Sequence, residues 1–230
     1  MKVVVCLHAP RPADGELGRD DARALAHALA LGREHTVTAL LAGGAGDTGP
    51  LRRALTAGVS RAVRLAGDDF ALADFHTLGQ ALATAIRRLG ADLVLTGARS
   101  DDDGLGAVPA SIARHLGFPH VACIEELAAR AGAGGGREQG VELTVRGGGQ
   151  RRRLLVSLPA VLSAAAGPAQ TFVAPEDTAN PTEIEILSLI DPEATVVRRR
   201  TELLGQPELA SRGTEEVSSA TEFVEALTKR

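Results

Sequence analysis

Three glycines and three aspartates crowd into the stretch Gly97-Ala-Arg-Ser-Asp-Asp-Asp-Gly-Leu-Gly-Ala-Val108, and the chemistry they allow is the holding of an anion by backbone N–H groups. Gly97, Gly104 and Gly106 permit backbone angles or close approaches that other residues do not. The apolar run Leu93–Thr96 before them reads as a strand, and Pro109 suits the first turn of a helix running to about Leu116. A helix start favours an anion by only about 0.3–2 kcal/mol, so several backbone donors must converge to hold a phosphate. The aspartates set a condition. A carboxylate about 4 Å from a phosphate costs on the order of 4 kcal/mol at an effective dielectric near 20, so Asp101, Asp102 and Asp103 must turn to solvent, to ribose hydroxyls or to a metal. No metal-ligand spacing supports the last. A solvated surface loop with ordinary turn chemistry is the alternative reading.

Other reactive residue types lack a setting. His8 follows the first strand and reads as a loop histidine facing solvent, with tuning of a bound cofactor as the sharper alternative. His76, His115 and His120 have no ligand spacing, and Ser100 has no nucleophile-elbow context. Cys6 and Cys123 lie in apolar, strand-like stretches without CxxC spacing; buried packing is expected for both, in a reducing cytoplasm. The chain has neither Trp nor Tyr, so nothing in it can clamp a large planar ligand between aromatic faces.

The elements that must position the loop alternate in type. Val3–Leu7 is a β-branched run, and the helix pattern Asp21–Leu31 places Ala24, Leu25, Ala28 and Leu29 on one stripe. Strand Thr36–Leu41, the Gly43-Gly44-Ala-Gly46 turn, helix Leu51–Ala57 behind Pro50, and strand Arg61–Leu65 follow. Asp74 suits an N-cap for a helix with Leu78, Leu82, Ala85, Ile86 and Leu89 on one face and Gly90 as its stop. This alternation predicts an α/β fold, a Rossmann-like, doubly wound and mainly parallel sheet with ligands at the carboxyl ends of its strands.

The second half differs in texture. His120–Ala128, Val141–Arg146 and Arg151–Leu158 read as extended, the last two joined through Gly147-Gly-Gly149 as a small antiparallel hairpin. Pro159 precedes Ala160–Ser163; Ala164–Pro181 is without period, and Glu183–Ile190 alternates like an edge strand. Ser218 or Ser219 can cap a last helix bearing Phe223, Val224 and Leu227, which would dock on its own domain or on a partner. We therefore expect an α/β domain over residues 1–180 and a C-terminal arm over 181–230.

At 230 residues and 44% hydrophobic composition, the chain has room for a sizeable core and no apolar run long enough to span a bilayer. Its net charge of −4 excludes a general nucleic-acid binder, and Arg151–Arg153 and Arg198–Arg200 read as strand or arm edges.

Several of these segments, taken in order, resemble the β subunit of an electron transfer flavoprotein. They are Val3–Leu7, Ala42-Gly43-Gly44, Arg53-Ala-Leu-Thr-Ala-Gly-Val-Ser-Arg-Ala62, Asp92–Pro119, the Gly-rich hairpin, Leu158-Pro-Ala-Val161 and Ser219–Leu227. The resemblance implies an electron-carrier subunit rather than an enzyme, with no general base or nucleophile of its own. It implies an α-subunit partner holding most of an FAD, an AMP or a second FAD in the β chain, a donor dehydrogenase, and a membrane or soluble acceptor. Carried onto matching positions, cofactor contacts fall on Cys6, on Gly18, Arg19, Asp20 and Asp21, and on Ala42. They continue over Gly97, Ala98, Arg99, Ser100, Asp101, Asp102, Asp103, Gly104, Leu105, Gly106, Ala107 and Val108, mostly through the backbone.

The chain departs from the family pattern at three places. Gly18-Arg19-Asp20 stands where an Asn-Pro-aromatic is usual, which removes an aromatic from beside the flavin. Gly106-Ala107-Val108-Pro109 replaces Asn-Gln-Thr-Gly, leaving backbone donors without side-chain ones. The partner-recognition loop, expected at Phe172, Val173, Glu176 and Asp177, is acidic and lacks lysine. Two rival readings share parts of the pattern. An adenine-nucleotide-binding regulator of the universal-stress type leaves the hairpin and arm without a role, and an ATP-pyrophosphatase needs a Ser-Gly-Gly loop that His8-Ala-Pro-Arg-Pro12 does not supply.

Overall fold

The computed structural model describes residues 1–9, 17–67, 70, 73–101, 104–130, 140–165 and 183–188. The first half alternates without exception: β1 (Lys2–Leu7), α1 (Arg19–Ala30), β2 (Thr36–Gly43), α2 (Gly49–Ala57), β3 (Arg61–Ala66), α3 (Phe75–Leu89), β4 (Leu93–Gly97) and α4 (Val108–Leu116). Then come β5 (His120–Arg130), β6 (Gly140–Gly147), β7 (Gln150–Ser157), β8 (Ala160–Ala164) and β9 (Ile184–Leu187). Among the described residues these strands form one nine-stranded sheet in the order β7-β6-β5-β8-β4-β1-β2-β3-β9.

Period-two alternation divides the core. Val3, Val5 and Leu7 of β1 pack with Leu25 and Ala28 of α1 and Leu51 and Leu55 of α2. Val4 and Cys6 turn to the opposite face, onto Leu82 and Ile86 of α3 and Ile112 of α4. Helices thus cover both faces, and residues on each side of a central strand are apolar because each meets a helix rather than water. The expected doubly wound α/β sheet is what the chain builds.

The order of strands fixes where a site can be. Parallel pairing runs from β1 to β2 to β3 on one side, with Val5 opposite Ala39, whereas β4 returns to the other side of β1, with Val5 opposite Leu95. The order of strands reverses between β1 and β4, and the loops leaving their carboxyl ends part to opposite faces of the sheet, the place where folds of this kind open a crevice.

The antiparallel extension is β5-β6-β7. Gly147 pairs with Gln150, so Gly148 and Gly149 alone make the turn, with φ of 57° and 75°. Two successive left-handed residues match the twist of a hairpin, and glycine takes them without strain. Val141 and Leu143 are buried against the α1 side of the core, while Glu125, Arg146 and Arg151 form an ion-paired outer surface.

Cys6 is buried as expected, but Cys123 is exposed, with φ of 59°. It sits where the β5–β8 register shifts between Val121 and Ile124, and the extra residue of that bulge is turned out of the alternation. Arg151–Arg153 lie on β7, the edge expected for them. Ile184–Leu187 pairs in parallel with β3, and so forms an edge strand of the sheet. Arg198–Arg200 and the helix expected after Ser218 lie outside the described residues.

Candidate functional site at the carboxyl edge

The crevice is built from the ends of β1 and β4, the first turn of α1, and the loop running from Gly97 into α4. Gly97 shows why a glycine closes β4. A Cβ there would overlap the Asp21 carboxylate and lie 3.0 Å from the Asp21 backbone N and 3.1 Å from the Asp20 carbonyl carbon, so α1 rests directly on the strand end. Asp21 itself is buried. Its Oδ2 accepts the backbone N–H of His8 at 2.7 Å, and its Oδ1 lies against Gly97. Burial pushes its pKa up to about 6; the neighbouring backbone N–H groups and the His8 ring pull the other way, and Asp101 adds to the rise. Neighbouring Asp20 is neutralised by Arg23, at 2.6 Å and largely buried.

Asp101 is exposed, and its Oδ2 accepts the backbone N–H of Arg19 at 2.9 Å, capping α1 from outside the helix. Gly18, the N-cap residue, carries no side chain to do so, and that cap from a distant loop is why α1 begins at Arg19 and not at Asp21. Among the described residues no cluster of three or more His, Cys, Asp or Glu could hold a metal ion.

The two helix starts at the crevice are therefore unlike. The start of α1 has Asp101 on its first N–H and Asp20 and Asp21 in its first turn. The start of α4 has no side-chain cap and no acidic residue in its first turn, and Pro109 stands at the position where a missing N–H costs least. Carboxylates repel an anion at the first, and the helix dipole favours one at the second. The loop between is shaped by glycine. Gly104 and Gly106 have φ of 63° and 62°, and a Cβ on Gly106 would come 2.6 Å from the Ala98 carbonyl oxygen. Ala98 is anchored in turn by donating its N–H to the Ala164 carbonyl at 2.8 Å.

Of the residues expected at the site, Gly18–Asp21 and Gly97–Asp101 meet directly. Ala42 stands at the end of β2, one strand beyond β1, and Gly104–Val108 lead into α4. The side chain of Cys6 packs into the α3/α4 core, where burial, with the Asp21 charge, holds the thiol protonated, so only its backbone borders the crevice. His8 is half-buried rather than facing solvent. Asp102, Asp103, Phe172, Val173, Glu176 and Asp177 lie outside the described residues. Two further residues at this edge escape a reading of sequence. Asp47 accepts the N–H of Gly44 at 2.9 Å, and buried Arg64 donates to the Gly43 carbonyl at 2.9 Å, together setting the β2–α2 turn. An arginine at an inward position of a strand was the available signal for Arg64.

Residues 8–192 match the family model of the electron transfer flavoprotein domain. The chain belongs to that family. It is 36% identical over 128 residues to the electron transfer flavoprotein subunit beta of Mycobacterium tuberculosis, covering 52% of this chain and 48% of that protein. Protein FixA of Azorhizobium caulinodans is 37% identical over 115 residues, covering 47% of this chain and 41% of its own. The electron transfer flavoprotein subunit beta of Methylophilus methylotrophus is 29% identical over 113 residues, covering 49% and 41%. The chain spans about half the length of the curated relatives it matches. Among the described residues no helix is long and apolar enough to cross a membrane.

Proposed function

We propose that this chain is the β subunit of an electron transfer flavoprotein, whose FAD is held mainly by an α subunit. In this reading the pair takes electrons from a donor dehydrogenase and passes them to a downstream acceptor. The flavin supplies the redox chemistry when bound, and this chain's residues position and enclose. The observation that carries the reading is the crevice at the reversal between β1 and β4, built from the glycine loop Gly97–Val108 and the first turn of α1 in a chain of this family.

The same crevice would take an adenine nucleotide, AMP or a second FAD, through Cys6, Gly18–Asp21, Ala42 and Gly97–Val108. The unlike helix starts orient it: the phosphate would meet the backbone donors at 106, 107 and 108, and hydroxyls would meet the acidic start of α1. Phe172, Val173, Glu176 and Asp177 would face the donor, in a cytoplasmic complex. The test is co-expression with a flavoprotein α subunit. A stoichiometric yellow complex is expected, with AMP or FAD released from the β chain and identified by mass spectrometry. Stable one-to-one FAD on this chain alone would overturn the division of labour, because the chain has no Trp or Tyr to hold the ring.

A further inference from the structure

Arg64 is a buried cation in an apolar setting. Val63 and Leu65 on either side of it pack into the α3/α4 core, so Arg64 stands on the other face of β3, with Ala62 and the core under α1 and α2. Taking a guanidinium out of water is costly unless its bonds are specific, and an apolar side chain would fill that place without the cost. Among the described residues no carboxylate pairs with it. Its Nη1 donates instead to one carbonyl, that of Gly43 at the end of β2, at 2.9 Å.

The Gly67 N–H donates to the same carbonyl at 3.3 Å, so the backbone of Gly43 faces β3. Backbone groups of successive strand residues point to opposite edges, and Ala42 therefore faces β1. The β1–β2 ladder ends at the pair Leu7 and Leu41, which leaves the Ala42 carbonyl one step beyond it, at the carboxyl edge. The next peptide unit, Gly43–Gly44, joins two glycines and is the easiest in the strand end to turn. Arg64 holds its carbonyl, and Asp47 holds its N–H at 2.9 Å.

We infer that Arg64 is a positioning residue for the nucleobase end of the crevice, gripping the Gly43–Gly44 peptide so that the Ala42 carbonyl is presented toward β1 as an acceptor for a base with N–H donors. This rests on the nucleotide reading above, in which the phosphate goes to the start of α4 and the hydroxyls to the start of α1, leaving the base for the end of β2.

The test uses the full chain with two probes, AMP and ribose 5-phosphate, which keeps the sugar and phosphate and lacks the base. Arg64→Met, apolar and unbranched like the arginine stem, is expected to weaken AMP at least tenfold and ribose 5-phosphate less than twofold. Its melting temperature should not fall, since a buried charge is removed. Arg64→Lys should recover AMP binding to within about threefold of the native chain, because a bond to a single carbonyl needs a cationic donor and not a fork. In the native chain the amide resonances of Gly43 and Gly67 should shift with AMP and not with ribose 5-phosphate, a comparison that stands even where a variant folds poorly. Equal losses of both probes in Arg64→Met would overturn the inference, by making Arg64 a residue of the fold alone. So would AMP affinity within twofold of the native chain in that variant, or native amides that answer the two probes alike. A native chain that binds neither probe ends the nucleotide reading and this inference with it, whereas the other failures leave that reading standing.

Discussion

The carboxylate of Asp101 accepts the backbone N–H of Arg19 at 2.9 Å, joining the loop after β4 to the start of α1 across 82 positions of sequence. This one bond does for α1 what a local Ser or Asp does for most helices. Asp101→Ala should therefore lower stability by about 0.5–1 kcal/mol, the lower part of the range for lost N-caps, because the site is exposed. Urea unfolding would measure it, and a loss below the error of that method would show that water replaces the cap.

Gly97→Ala should be far more damaging. The added methyl meets backbone of α1 as well as the Asp21 carboxylate, so the helix must move, at a cost of about 2–3 kcal/mol. Gly46→Ala is the control. Nothing lies within 4 Å of its Cβ position, and the change should be neutral or stabilising by up to about 1 kcal/mol. Equal stabilities for the two variants would contradict the packing described.

The loop glycines should separate in the same way. Gly104 and Gly106 share a left-handed backbone, so each alanine variant bears a strain of about 1 kcal/mol. Only at Gly106 does the methyl also strike a carbonyl, that of Ala98, so Gly106→Ala should be less stable than Gly104→Ala by about 1 kcal/mol or more and should lose more AMP binding. Paired thermal melts and calorimetry test both.

Two aspartates give opposite pH signatures. Asp21 has its pKa raised in the fold, from 3.8 to about 6. Between those values the fold binds more protons than the unfolded chain, so this group's contribution to stability falls as pH rises and is lowest above about 6. Asp74 caps α3 by accepting the Thr77 N–H at 2.7 Å, and that bond holds its pKa down. Its contribution is present above the ordinary carboxylate value and is lost as pH falls through its own lowered one. The stability advantage of Asp21→Asn over the native chain should shrink between pH 6 and 4; an advantage that is constant there would refute the assignment.

Much of the fold was legible because local patterns and global topology agree. The alternation of Val3–Leu7 and Thr36–Leu41, the cap Asp74 and the stop Gly90 are statements about neighbours in sequence, and the structure keeps each. What escaped depends on partners far along the chain. Thr36–Gly43 runs longer than its apolar core because β3 pairs with Ala42 and Gly43. Cys123 leaves the interior because a register shift against β8 adds a residue. At the site, the glycines marked a loop between β4 and α4, which the structure keeps, but no spacing rule could show that Asp101 would turn to Arg19, since that choice was made by a helix end 82 positions away.

An open sheet has two rims, and a rim of free N–H and C=O groups invites another chain to continue it. Among the described strands those rims are β7 and β9. The first carries Arg151, Arg152 and Arg153 in succession beside exposed Leu154 and Leu155, and the second carries Glu185, tied to Arg61 at 2.5 Å beside exposed Ile186. Arg151 pairs with Glu125 and Arg153 with Glu142, and charged groups set along this rim oppose its pairing with a second β7, which the leucines would otherwise favour. Neutralising the three arginines should raise the tendency to aggregate, with the folded stability nearly unchanged.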